Sequence, residues 1–153
     1  DPFVNKEIIE NQNCRKIEFD IGIKEADFIT VHIPLSDKTK NLIKKKEFEK
    51  MKDNAIIINT ARGGIINETD LYWALKNKKI YGAGIDVFET EPPIHNNPLF
   101  TIDNIVLSPH NAALTLECRK RMAVETFENI LYYLENNLKL NKKNIVNRKI
   151  LNL

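Results

Sequence analysis

Three side chains in this sequence could do proton-transfer chemistry together: Arg62, Glu91 and His110. Arg62 sits in the stretch Ile58–Asn67, INTARGGIIN, where a buried-looking apolar run ends in an arginine followed by two glycines. A solvent turn needs no arginine and a core strand disfavours one, so the arrangement reads as an arginine held at a strand end to grip a small anion. Its planar fork can bind a carboxylate with two hydrogen bonds. His110 follows Ser108-Pro109, and an imidazole is the side chain best able to exchange a proton near neutral pH. Glu91 is the candidate carboxylate beside it, a neighbour that would favour the imidazolium. Such a set suits a 2-hydroxy or 2-keto acid. The arginine holds the acid group and the histidine moves the hydroxyl proton. No side chain carries a hydride, so the chemistry calls for a carrier such as a nicotinamide cofactor.

Taken singly, each residue has an ordinary explanation. A strand-end arginine is more often a surface ion pair, Glu89-Thr90-Glu91-Pro92-Pro93 is an acidic turn, and His110 could be a loop histidine without a task. His32 lies inside a strand run and reads as structural or cofactor-lining, whereas His95, in a Pro/Asn-rich loop, reads as surface. The joint placement gives the set its weight, and that placement depends on the elements around it.

Four runs read as strands: Asp27–Pro34 (DFITVHIP), Ala55–Thr60, Tyr81–Val87 (YGAGIDV) and Asn104–Leu107. Between them, Lys46–Met51 reads as a short helix with Phe48 and Met51 on one side. Glu68–Lys76 reads as a helix with Leu71, Ala74 and Leu75 at helical spacing and Asn67 placed to cap it. A long helix starts at Thr115, with Ala123, Phe127, Ile130, Leu131, Leu134 and Leu138 in one stripe and charged residues opposite. Strands alternating with helices at these spacings predict an α/β fold with a parallel sheet. In such sheets ligands bind at the carboxyl ends of the strands. His32 to Leu35, Thr60 to Gly64, Asp86 to Pro92 and Ser108 to Asn111 follow the four strands, which brings Arg, Asp, Glu and His to one edge. Gly82-Ala83-Gly84 begins like a dinucleotide fingerprint, but Val87 stands where the third glycine belongs. The two glycines are read as strand residues that let neighbours pack closely.

The bulk properties limit the alternatives. The chain has 153 residues, 42% hydrophobic and 29% charged, with a net charge of +2. That is enough for one globular core. The lysines are scattered and make no basic face for nucleic acid, and the Lys44–Lys46 and Lys142-Lys143 runs read as solvated surface. Cys14 and Cys118 are far apart and in no metal or CxxC spacing, which fits a reduced, cytoplasmic protein without a metal centre. No apolar run approaches membrane-spanning length.

VHIPL, INTARGG, GAGIDVFETEP and SPHNAAL, in that order, resemble the D-isomer-specific 2-hydroxyacid dehydrogenases, with the likeness running from Asp1 to about Leu138. The resemblance implies a Rossmann-like parallel sheet and NAD as cofactor. It implies that Arg62 orients the substrate carboxylate and carbonyl, that His110 is the proton donor or acceptor, and that Glu91, rather than Glu89, tunes His110. It implies cofactor contacts from Ile33, Pro34, Thr60, Ala61, Arg62, Asp86, His110, Asn111 and Ala112, although many relatives carry glycine where Ala112 stands. Asp1 would take the adenosine ribose hydroxyls, a place where an acid favours NAD over NADP. The implied substrate is a small 2-hydroxy or 2-keto acid, with phosphoglycerate foremost and serine biosynthesis as the setting. A homo-oligomer is implied for the intact protein, with neither nucleic acid nor membrane as a partner.

The chain departs from that family in one large respect. The glycine-rich turn that cradles the pyrophosphate, and most of the substrate domain, would precede Asp1. The expected organisation is therefore a partial Rossmann-like sheet lacking its first βαβ unit. Residues 1–114 form the later part of the NAD-binding domain, 115–138 a long helix leading back to a substrate domain, and 139–153 a tail. The helix stripe would face a missing partner at least in part, and such a fragment is expected to have weak or no activity alone. Two other readings stay open: a non-catalytic NAD-fold binding or corepressor-like protein, and an inactive truncated remnant.

Overall fold

The computed structural model describes residues 3–135. Asp1, Leu138 and the tail from 139 onward lie outside the described residues. The chain divides into two compact units, one ending at His110 and the other beginning at Asn111.

Each apolar run becomes a strand, and each strand is shorter than its run. β1 is Phe28–Val31, β2 Ile56–Asn59, β3 Gly82–Ile85 and β4 Ile105–Leu107. They form one sheet in the order β1-β2-β3-β4, with every pair parallel. The expected first strand ran through His32 to Pro34; the observed one stops at Val31. Pro34 has no N–H to give a ladder and restricts the residue before it. His32 is therefore exposed beyond the strand, its Nε2 2.8 Å from Thr30 Oγ1. At the second strand Thr60 drops out of the ladder because the side chain of Asn59 takes over the backbone hydrogen bonding that follows.

Strand register sorts the side chains into two faces. Ile29, Ile57, Ala83 and Ile105 are paired in one row, and Val31, Asn59, Ile85 and Leu107 in the next row of the same face. This face belongs to a core completed by Phe48, Ile65, Leu71, Ala74, Leu75, Ile80 and Leu99. The opposite face carries Thr30, Ile58, Gly84 and Val106 in one row. At its two ends Phe28 and Val106 are 73% and 74% exposed.

The helices follow local chemistry. α4, Glu68–Lys76, has the expected bounds, and the Asn67 side chain accepts the Asp70 N–H at 2.9 Å. Leu71, Ala74 and Leu75 are its buried residues. α3 spans Lys45–Phe48, and Phe48 and Met51 are both buried as their spacing predicts. Two short helices were not anticipated: α1, Lys6–Glu10, which buries nothing, and α2, Phe19–Glu25, which buries only Ile23. A 3-10 turn at Pro98–Thr101 is capped by Asn97, whose Oδ1 accepts the Leu99 N–H at 2.9 Å. In the second unit α5, Leu116–Glu135, has no buried residue. Phe127, Ile130, Leu131 and Leu134 of its apolar stripe are exposed. Among the described residues no helix is long and apolar enough to cross a membrane.

The strand glycines differ from one another. A Cβ on Gly82 would lie 3.1 Å from the Asn104 carbonyl oxygen, whereas one on Gly84 would make only ordinary contact with Ile58. Close packing therefore explains the first glycine and not the second.

Candidate functional site

Arg62, Glu91 and His110 emerge from the carboxyl ends of β2, β3 and β4, three neighbouring parallel strands. Each is placed by a different device.

The Arg62 turn is built by the last residue of β2. Asn59 is 2% exposed. Its Oδ1 accepts the Ala61 N–H at 3.0 Å, and its Nδ2 donates to the Arg62 carbonyl at 2.9 Å. Its own carbonyl accepts the Asp86 N–H at 3.0 Å, which ties the ends of β2 and β3 together. One polar side chain thereby satisfies the backbone on both sides of the turn. Gly63 follows, and a Cβ there would lie 1.8 Å from the carbonyl oxygen of Phe88. The turn therefore rests directly on the backbone of the loop that carries Glu91. Gly64, at φ +80°, completes the reversal in the left-handed region. The guanidinium itself is exposed, and Nη1 donates to the Ala61 carbonyl at 2.6 Å.

After β3 the chain passes through Asp86, which is 3% exposed. Its Oδ1 accepts the Ser108 hydroxyl at 2.5 Å, and its carbonyl accepts the His110 N–H at 2.8 Å. β3 and β4 are thus joined just where His110 leaves the sheet. His110 adopts φ 54°, in the left-handed region that non-glycine residues seldom occupy. Such a conformation persists only where neighbouring bonds hold it.

The side chains of His110 and Glu91 then meet, with Nδ1 2.8 Å from Oε2. The other Glu91 oxygen accepts the Phe88 N–H at 3.0 Å, and the Glu91–Pro92 peptide is cis. The hydrogen bond from His110, followed by that from the Phe88 N–H, holds the Glu91 carboxyl below the ordinary glutamate value. Nδ1 is engaged, and Nε2 has no protein partner among the described residues.

Glu89, two residues earlier, has a different task. It accepts the Glu68 N–H at 2.9 Å while Glu68 accepts its N–H in return at 2.5 Å. Glu68 also accepts the Asn97 side-chain amide at 2.9 Å. Glu89 is thus bound to the N-terminus of α4, and Glu91 is the carboxylate paired with the histidine.

A cleft of about 450 Å³ opens at the ends of β1 and β2, lined by Ile33, Pro34, Leu35, Ala61 and Arg62. Four of the residues expected to line a cofactor therefore share one concavity, with Leu35 added. Aliphatic walls of this kind suit a flat ring system. Thr60 is exposed and is not one of the lining residues. Asn111 and Ala112 fall in the second unit, where the Asn111 carbonyl accepts the Leu114 N–H at 2.8 Å. Sequence reasoning missed Asn59 and Ser108. Asn59 interrupts an apolar run, yet a single asparagine at a strand end, four residues before the first glycine of a Gly-Gly pair, is the signal that could have found it.

Comparison with known proteins bears on the fold and the family. The D-3-phosphoglycerate dehydrogenase of Archaeoglobus fulgidus is 45% identical over 131 residues, covering 86% of this chain and 25% of that protein. The hydroxypyruvate reductase of Thermotoga maritima is 44% identical over 116 residues, covering 74% and 38%. The chain thus spans well under half the length of these curated relatives. Among solved structures, the D-lactate dehydrogenase of Lactobacillus jensenii with NAD+ superposes with a TM-score of 0.81 at 30% identity, covering 92% of this chain and 46% of that one. Residues 1–112 match the family described as D-isomer specific 2-hydroxyacid dehydrogenase, NAD binding domain, and the chain belongs to that family.

Proposed function

We propose that this chain supplies the catalytic edge of an NAD-dependent oxidoreductase acting on the CH–OH group of a D-2-hydroxy acid, with D-3-phosphoglycerate as the substrate. The observation that carries the reading is the 2.8 Å contact between His110 Nδ1 and Glu91 Oε2. A carboxylate on one ring nitrogen fixes the orientation of the imidazole and leaves the other nitrogen to exchange a proton. In oxidation Nε2 takes the proton from the C2 hydroxyl, so that no free alkoxide builds up. In reduction it returns that proton. Glu91 stabilises the imidazolium that forms in between. Arg62 holds the substrate carboxylate and orients the C2 oxygen. Ile33, Pro34, Leu35 and Ala61 would hold the nicotinamide end, and NAD when bound supplies the hydride exchange at C2. Serine biosynthesis is the setting that a phosphoglycerate substrate would imply.

The choice of substrate is supported by the phosphoglycerate dehydrogenases of Archaeoglobus fulgidus and Methanocaldococcus jannaschii, at 45% and 44% identity. Relatives named hydroxypyruvate reductase and glyoxylate reductase, at 44% and 39%, support a second reading in which the acid carries no phosphate. The test is a panel assay of the native protein with NAD or NADH against D-3-phosphoglycerate, D-glycerate, hydroxypyruvate and glyoxylate. The highest kcat/KM for D-3-phosphoglycerate is expected. A higher value for hydroxypyruvate or glyoxylate would assign the second reading, and no turnover of any acid by the intact protein would leave a binding protein.

A further inference from the structure

We infer that Asn59 is the positioning residue for Arg62, and that the Gly63–Phe88 contact is the spacer that sets the Arg62 turn against the loop holding Glu91. This rests on the reading of Arg62 as the group that binds the acid. Among the described residues, Arg62's guanidinium has one protein hydrogen bond, to its neighbour's carbonyl, and the residue is exposed. Its backbone is placed. The N–H before it and the carbonyl of Arg62 itself are both bound by one amide side chain, itself buried at the end of β2. The next residue admits no Cβ, because that atom would stand 1.8 Å from the Phe88 carbonyl oxygen. Phe88 in turn donates its N–H to Glu91. A continuous chain of contacts therefore runs from Asn59 through Gly63 and Phe88 to Glu91 and His110. An acid held by Arg62 and deprotonated by His110 needs these two groups at a fixed separation, since small misplacements of a reacting pair are costly.

Gly63→Ala risks loss of folding, so Asn59 carries the test. Asn59→Asp keeps the acceptor for Ala61 and loses the donor to the Arg62 carbonyl. Asn59→Ser keeps a hydroxyl too short to span both partners. NMR relaxation of the Thr60–Gly64 amides reports the order of the turn, the Arg62 Nε–Hε resonance reports binding of D-glycerate, and the amides of α4 report the fold elsewhere. Both variants are expected to loosen the turn and weaken D-glycerate binding about tenfold, with the amides of α4 unchanged. An unchanged turn and unchanged affinity in both variants would overturn the inference. So would equal loosening of the α4 amides, which marks general destabilisation. If wild type fails to bind D-glycerate and the turn still loosens, the function assigned to Arg62 fails and the positioning role of Asn59 stands.

Discussion

The loops after β2 and after β4 hold their functional side chains in opposite ways. In the first, the backbone is fixed and the side chain is exposed: Asn59 and Gly63 clamp the turn, while among the described residues the Arg62 guanidinium hydrogen-bonds to the adjacent carbonyl alone. In the second, the side chain is fixed: His110 is tethered by Glu91 through Nδ1, and its backbone sits at a left-handed φ held by the carbonyl of Asp86. The difference matches the two tasks proposed for these residues. A group that grips a mobile anion benefits from reach, because a long, loosely held fork can close on its ligand. A group that moves a proton needs one orientation and one free nitrogen, because proton transfer demands hydrogen-bond geometry.

Several substitutions would sharpen or break this contrast. His110→Gln should give the largest change, lowering kcat by roughly a thousandfold while NAD affinity, measured by fluorescence titration, stays near wild type. Equal turnover in that variant would remove His110 from the chemistry. Gly63→Ala should follow, destabilising the fold by about 3 kcal/mol in urea unfolding, because its Cβ meets backbone that cannot give way. A neutral result would show that the turn after β2 is softer than its contacts imply. Arg62→Lys separates reach from stability. The exposed side chain should cost under about 0.5 kcal/mol in unfolding, yet KM for the acid should rise roughly thirtyfold through loss of the two-point grip. The smallest effect concerns acid. The folded-state pKa of Glu91 is lowered by His110 and by the Phe88 N–H, so its contribution to stability is present above the ordinary glutamate value. It is lost as pH falls through the lowered one. That contribution is small because the pair stands partly in water. A carbon-detected NMR titration of Glu91 checks the direction, and Glu91→Gln should erase that part of the acid dependence.

The sequence revealed what periodicity and order can reveal. Apolar runs placed the four strands, and a cap and three leucine or alanine positions placed α4 to the residue. Knowing that the sheet is parallel then sent Arg62, Glu91 and His110 to its carboxyl edge. What escaped was everything decided by one side chain meeting a distant backbone. Asn59 reads as noise in a hydrophobic string because its bonds have no period. Gly63 shows in the sequence as one of two glycines after an arginine, though what it answers to is the carbonyl of Phe88, far along the chain. The preference for Glu91 over Glu89 came from family likeness. The structure adds a physical ground: Glu89 is already bound at the start of α4. α1 and α2 went unread because five and seven residues are too few to display an amphipathic stripe.

The strand order β1-β2-β3-β4 also bears on how the molecule comes into being. Among the described strands, each of β2, β3 and β4 pairs with the one translated immediately before it. The sheet can grow as the ribosome delivers it. A nascent chain that has emerged as far as Pro92 already contains both partners of the Gly63–Phe88 contact, with Arg62 and Glu91 on either side. Only the last short strand brings His110, so the histidine is the last of the three to join Arg62 and Glu91.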